Sequence, residues 1–183
     1  MIKIIIGILA SLLAFSTAAS AEMEKLAVPC GQKVCFYWWP KLAPVKGWHH
    51  DRQHSFYYGA NAQAPDGHTF ANAESVIYAR ALYKPRSPET KSLEDLIGRD
   101  KKDSLSRDPN IVYAEAGPLK TGDGRTLKSF TFFPRKGGNW EQVSYGEEDD
   151  FYLIFTVSSK TQEGFTKAAE DYRTFIRQYK RNP

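Results

Sequence analysis

The chain has 183 residues, with 25 basic and 21 acidic side chains, a formal charge of +4, and 42% hydrophobic and 14% aromatic residues. These values exclude a multi-span membrane protein and a disordered chain, and they supply enough apolar material for one packed domain. Only 2 cysteines rule out a disulfide-dense miniprotein, and so small a charge excess gives no case for a nucleic-acid partner.

Lys3, the apolar run over residues 4–15 and the small residues Ala19, Ser20 and Ala21 form the pattern of a secretory signal peptide, cleaved after Ala21. The run is short against the ~20 residues that span a bilayer, so no membrane span is expected after cleavage. The protein is expected in the periplasm or outside the cell. In that oxidising setting Cys30 and Cys35 are expected to form a disulfide, with Gly31 easing the chain reversal between them. Residues 22–46 read as an N-terminal arm holding this disulfide and the first strand, and residues 47–183 as the main domain.

Phe36, Tyr37, Trp38 and Trp39 are strand formers stopped by Pro40, and the chain reads as loop through Gly47. Residues 54–60 predict a second strand, with His54, Phe56 and Tyr58 alternating against Ser55 and Tyr57. Pro65, Asp66 and Gly67 signal a turn. Residues 75–84 predict a stronger strand, in which Val76, Tyr78, Arg80 and Leu82 face away from Ile77, Ala79, Ala81 and Tyr83. Pro85 and Pro88 end it.

Ser92 reads as a helix cap, with Leu93, Leu96 and Ile97 at helical spacing, and a helix of about three turns is predicted to fade in the charged stretch 99–108. Strands are predicted at residues 111–116, 127–133, 141–145 and 151–157. The glycines at 122 and 124 and at 137 and 138 supply hairpin turns, as does the acidic run 147–150. Residues 159–179 form the clearest helix, with Ser159 and Gln162 as a capping box. Phe165, Ala168, Ala169, Tyr172, Phe175, Ile176 and Tyr179 lie on one stripe. The pattern is α+β: a single domain with a mainly antiparallel sheet of about six or seven strands, two helices packed on it, and a long amphipathic C-terminal helix.

Gly47 and Trp48 before a strand, the Pro65, Asp66, Gly67 turn before strand 75–83, and strand 151–157 leading into the terminal helix together resemble the Mog1/PsbP-like superfamily, over roughly residues 47–179. The resemblance implies a non-catalytic binding or assembly factor, of a kind sometimes exported or lipid-anchored. It carries over no catalytic residue.

His49, His50, His54 and His68, with Asp51 among them, form the one chemically suggestive cluster. Imidazole and carboxylate suit Zn²⁺, yet no ligand-spacing motif fixes a site, so these histidines are expected as solvated loop residues and no metal is assigned. Trp48, beside them in the predicted loop, is the tryptophan expected to be exposed. With His49, His50 and His54 it makes the candidate binding segment, whereas Trp38, Trp39 and Trp140 are expected in the core. Residues 117–122 have phosphate-loop glycine spacing, but Asp123 stands where a lysine is needed. No catalytic residue or cofactor is assigned, because no nucleophile motif is present. The expected function is an exported, non-enzymatic binding or assembly module that meets a protein partner through its surface. The alternatives are a small hydrolase or isomerase with an aromatic-lined pocket, and a metal-binding protein using residues 49–54.

Overall fold

A computed structural model describes residues 22–135 and 137–181, so the signal-peptide segment lies outside the described residues. Among them the order is β1 (Met23–Cys30), β2 (Lys33–Pro40), β3 (Trp48–His50), α1 (Arg52–Tyr58), β4 (Asn61–Pro65) and β5 (Ser75–Tyr83). After a 3₁₀ turn at Lys84–Arg86 come α2 (Leu93–Arg107), β6 (Val112–Lys120), β7 (Thr126–Phe133), β8 (Trp140–Glu147), β9 (Phe151–Ser159) and α3 (Gln162–Arg177).

All strand pairs are antiparallel, in the order β1-β2-β5-β9-β8-β7-β6. The outer edge of β5 is shared. β4 pairs with its first half, from Gln63 opposite Ile77 to Asn61 opposite Ala79, and β2 joins beyond it, with Trp38 opposite Ala81. The arm is thus the β1–β2 hairpin, and it extends the sheet. Cys30 and Cys35 straddle its turn with Cα atoms 5.8 Å apart, and Gly31 takes φ 64° in that turn.

Successive side chains of a strand point to opposite faces, and here both faces are covered. On one, Ile77, Ala79, Ala81, Leu153, Phe155 and Val157 meet Ala168, Tyr172, Phe175, Ile176 and Tyr179, the predicted stripe of the terminal helix. Leu42, Val45 and Trp48 complete this layer. The Tyr172 hydroxyl donates to the Phe155 carbonyl at 2.9 Å, so the one polar atom of that buried ring is satisfied. On the other face Leu93, Leu96 and Ile97 of α2 pack on Phe132, Val143, Tyr145, Tyr152 and Ile154.

The α+β architecture agrees with the sequence pattern, and several local expectations are corrected. Residues 54–60 are not a strand. The Asp51 carboxylate accepts from the His54 backbone N–H at 3.1 Å and starts a helix, and Gly59, in the left-handed region at φ 62°, ends it. The cap of α3 is Thr161, which accepts from the Gly164 N–H at 3.0 Å. Ser159 instead closes β9 and accepts a hydrogen bond from the Ser75 hydroxyl at 2.9 Å. Ser92 does cap α2, but the helix runs on through the charged stretch to Arg107. Trp48 is buried at the start of β3, with 9% of its surface exposed.

Candidate functional site

The histidine segment folds into the support of α1. His50 Nε2 lies 2.8 Å from the Ser55 hydroxyl, and His54 Nδ1 lies 2.7 Å from Asp51 Oδ2. Asp51 also accepts from the Phe70 N–H at 2.9 Å. Burial acts to raise the Asp51 carboxyl, but the N–H groups of Phe70 and His54 and the His54 ring outweigh it and hold the pKa below 3.8. Burial, helped by the charge of Arg52, pushes His50 below 6.5. His50 and His54 are therefore half-buried hydrogen-bonding partners, a correction to their reading as solvated loop residues. His49 and His68 point elsewhere: His49 Nδ1 is 3.7 Å from Asp66 Oδ1 and His68 is exposed. Among the described residues no three His, Cys, Asp or Glu side chains are grouped to hold a metal ion.

Trp48, expected at the surface, turns inward to α3, where its indole Nε1 donates to Asp171 Oδ2 at 3.1 Å. Trp39 is fully buried, while Trp38 and Trp140 are half-buried at the margins of the core.

The aromatic surface lies on α1. Inside this helix sits a small residue, Ser55, whose hydroxyl donates to the Asp51 carbonyl at 2.9 Å and accepts from the Ala62 N–H at 3.0 Å. Outside sit Phe56, Tyr57 and Tyr58, which are 42%, 79% and 52% exposed. The usual amphipathic order is inverted. Tyr37 of β2 extends the patch by lying against Gly59, where an added Cβ would come within 2.5 Å of the Tyr37 ring. From Tyr58 the rings continue inward to Phe70 at 5.2 Å and then to Tyr78 at 5.7 Å. Phe56, Tyr57 and Tyr58 thus form an exposed aromatic patch on a helix fixed at both ends.

Beyond Tyr78 lies a cleft of about 470 Å³ between the second half of α2 and the sheet. It exists because the inward stripe of α2 changes from apolar to charged along the helix. Leu93, Leu96 and Ile97 face the sheet, and the same stripe continues as Asp100, Asp103, Ser104 and Arg107, which stand off it. Phe132, Val143, Tyr145 and Ile154 floor the cleft, and Arg80 and Glu141 reach it from β5 and β8. Asp100 accepts from the Tyr145 hydroxyl at 3.2 Å and lies 3.6 Å from the Arg80 guanidinium. Glu141 accepts from the Ser158 hydroxyl at 2.8 Å. Burial raises the pKa of both carboxyls, against the pull of the neighbouring arginines. Chemically, the cleft offers two carboxyls that hold protons more tightly than usual, and two guanidiniums. Neither histidine nor cysteine lines it.

Neither surface is apparent from a burial pattern read along the sequence. Each left a signal: Asp51 and Gly59 are spaced as the cap and stop of a short helix, and charges stand in the phase of Leu93, Leu96 and Ile97. No known family model matches the chain, and no curated protein does. Fold and surface together define an α+β domain that carries an exposed aromatic helix.

Proposed function

We propose that the protein is an exported binding or assembly module of Mog1/PsbP-like type that meets a protein partner through the outer face of α1. The observation that carries this reading is the exposure of Phe56, Tyr57 and Tyr58 on a helix whose inner side is tied down by Asp51, Ser55 and His54. Aromatic side chains combine large contact area with few rotatable bonds, and tyrosine adds a hydroxyl, which is why such residues carry binding energy at protein interfaces. Export is supported by the leader pattern and by Cys30 and Cys35 placed for a disulfide. Among the described residues no helix is long and apolar enough to cross a membrane.

The test is in-cell crosslinking of the full chain from a photoreactive residue at position 57, with the same residue at exposed Glu163 on α3 as the control. One discrete protein adduct from position 57, absent from position 163, is the expected result. Equal adducts from both positions, or none from position 57, would refute the reading.

A further inference from the structure

We propose that the cleft between α2 and the sheet binds a small zwitterion with an apolar body, of the class of an aliphatic or aromatic amino acid, its ammonium on Glu141 and its carboxylate on Arg107. The inference is independent of the α1 surface and concerns a different set of residues.

Glu141 stands on the floor side of the cleft, on β8, opposite Ser158 on one side and Phe132 on the other. Its one hydrogen bond comes from a neutral donor, the Ser158 hydroxyl, and among the described residues it forms no ion pair. Arg107 faces it from the last turn of α2. Its Nε donates to the Asp103 carbonyl at 3.3 Å, and among the described residues no carboxylate forms an ion pair with its guanidinium. Of the charged side chains acting on Glu141, Arg107 acts most strongly, yet the two do not close into a pair.

Asp100 and Arg80 are committed to each other, with the Tyr145 hydroxyl also on Asp100, which leaves Glu141 as the open anion on the sheet side and Arg107 as the open cation; the third carboxylate of the lining, Asp103, is exposed on the rim. A carboxylate and a guanidinium held apart over Phe132, Val143 and Ile154 present the inverse charge pattern of an amino acid lying on an apolar floor. The volume falls within the roughly 300–1,000 Å³ that small-molecule sites span. A simple amine would leave Arg107 unanswered, and a simple carboxylate would face Glu141.

The experiment is calorimetric titration of the full exported chain with L-leucine, L-phenylalanine and L-tyrosine at neutral pH, with n-butylamine and propionate as single-charge probes. At least one amino acid is expected to bind saturably and to raise the melting temperature, with neither single-charge probe matching it. Glu141→Gln, which keeps the Ser158 hydrogen bond, and Arg107→Gln at the exposed rim should each weaken that binding about tenfold or more. Folding of each variant is read from its own melt. No heat from any of the three amino acids at about 10 mM would overturn the proposal. So would equal binding of n-butylamine, or undiminished affinity in both variants.

Discussion

Trp48 and Asp171, 123 residues apart in sequence, are joined by the hydrogen bond that the indole Nε1 donates to the carboxylate at 3.1 Å. The contact ties the start of β3 to the middle of α3, and it draws the preceding loop, through Leu42 and Val45, onto the main core. Trp48→Ala should cost about 3–5 kcal/mol, the usual range for a large buried aromatic. Trp48→Phe keeps most of the apolar contact and loses the donor, so a cost of about 1–2 kcal/mol is expected. Urea unfolding of both variants checks the order. Equal losses would mean that ring packing contributes nothing beyond the hydrogen bond.

Asp51 serves α1 and the Phe70 loop at once. Removing it in Asp51→Ala deprives two backbone N–H groups of their acceptor and should destabilise by about 2 kcal/mol at neutral pH. Its folded pKa is depressed, so its contribution is present above 3.8 and lost as pH falls through the folded value. His50 follows the same sign: its folded pKa lies below 6.5, and stability falls as acid forces a proton onto it. The difference between wild type and Asp51→Ala should therefore be constant from neutral pH down to about 4 and shrink below it. A difference that persists at pH 2 would show that Asp51 acts through packing alone.

Glu141 carries the opposite sign. Its folded pKa is raised by burial, so the group favours folding below 4.5 and opposes it as pH rises through the folded value. Glu141→Gln should be more stable than wild type at pH 7, with the gain vanishing towards pH 4. Paired denaturant titrations at the two pH values measure it. A destabilised variant at pH 7 would place the ionised carboxylate among the groups that hold the fold together.

The central strands were legible in the sequence as runs of β-branched and aromatic residues between turn signals, β5 and β9 being buried on both faces, and the stripe of α3 because its burial follows the period of 3.6. Residues 54–58 misled for a physical reason. The alternation of His54, Phe56 and Tyr58 mimics a strand, but these aromatics do not record burial, and the buried member of the helix is Ser55. What sets the helix is local, the Asp51 cap and the Gly59 stop, and it prevails over strand propensity. β1 is not legible because it is an edge strand carrying Glu24, Lys25 and Pro29, and although its burial alternates from Glu24 to Cys30 none of its residues is fully buried. Trp48 could not be placed from its neighbours, since its partner lies on the last helix. The cleft was hidden by the same charged run that seemed to end α2, because a helix that stands off the sheet has no apolar stripe to continue.

Reduction of the Cys30–Cys35 bridge should cost no more than about 2 kcal/mol, the chain-entropy value for so short a loop. The hairpin it closes is also held by its own ladder, from Met23 opposite Pro40 to Cys30 opposite Lys33. Hydrogen exchange should quicken near the turn, while amides of β5 and β9 keep their protection. Global unfolding of the reduced protein at 25 °C would show that the arm is needed for the domain to fold.

In the proposed function the outer face of α1 binds without stabilising the fold, and the affinity of the double variant Phe56→Ala/Tyr57→Ala for the partner captured at position 57 tests that separation most directly. Both side chains are well exposed, at 42% and 79%, so the melting temperature should move by no more than about 2 °C. The dissociation constant should rise about 100-fold, as expected for the loss of two interface anchors. An unchanged dissociation constant in a folded double variant would contradict the assignment of this surface.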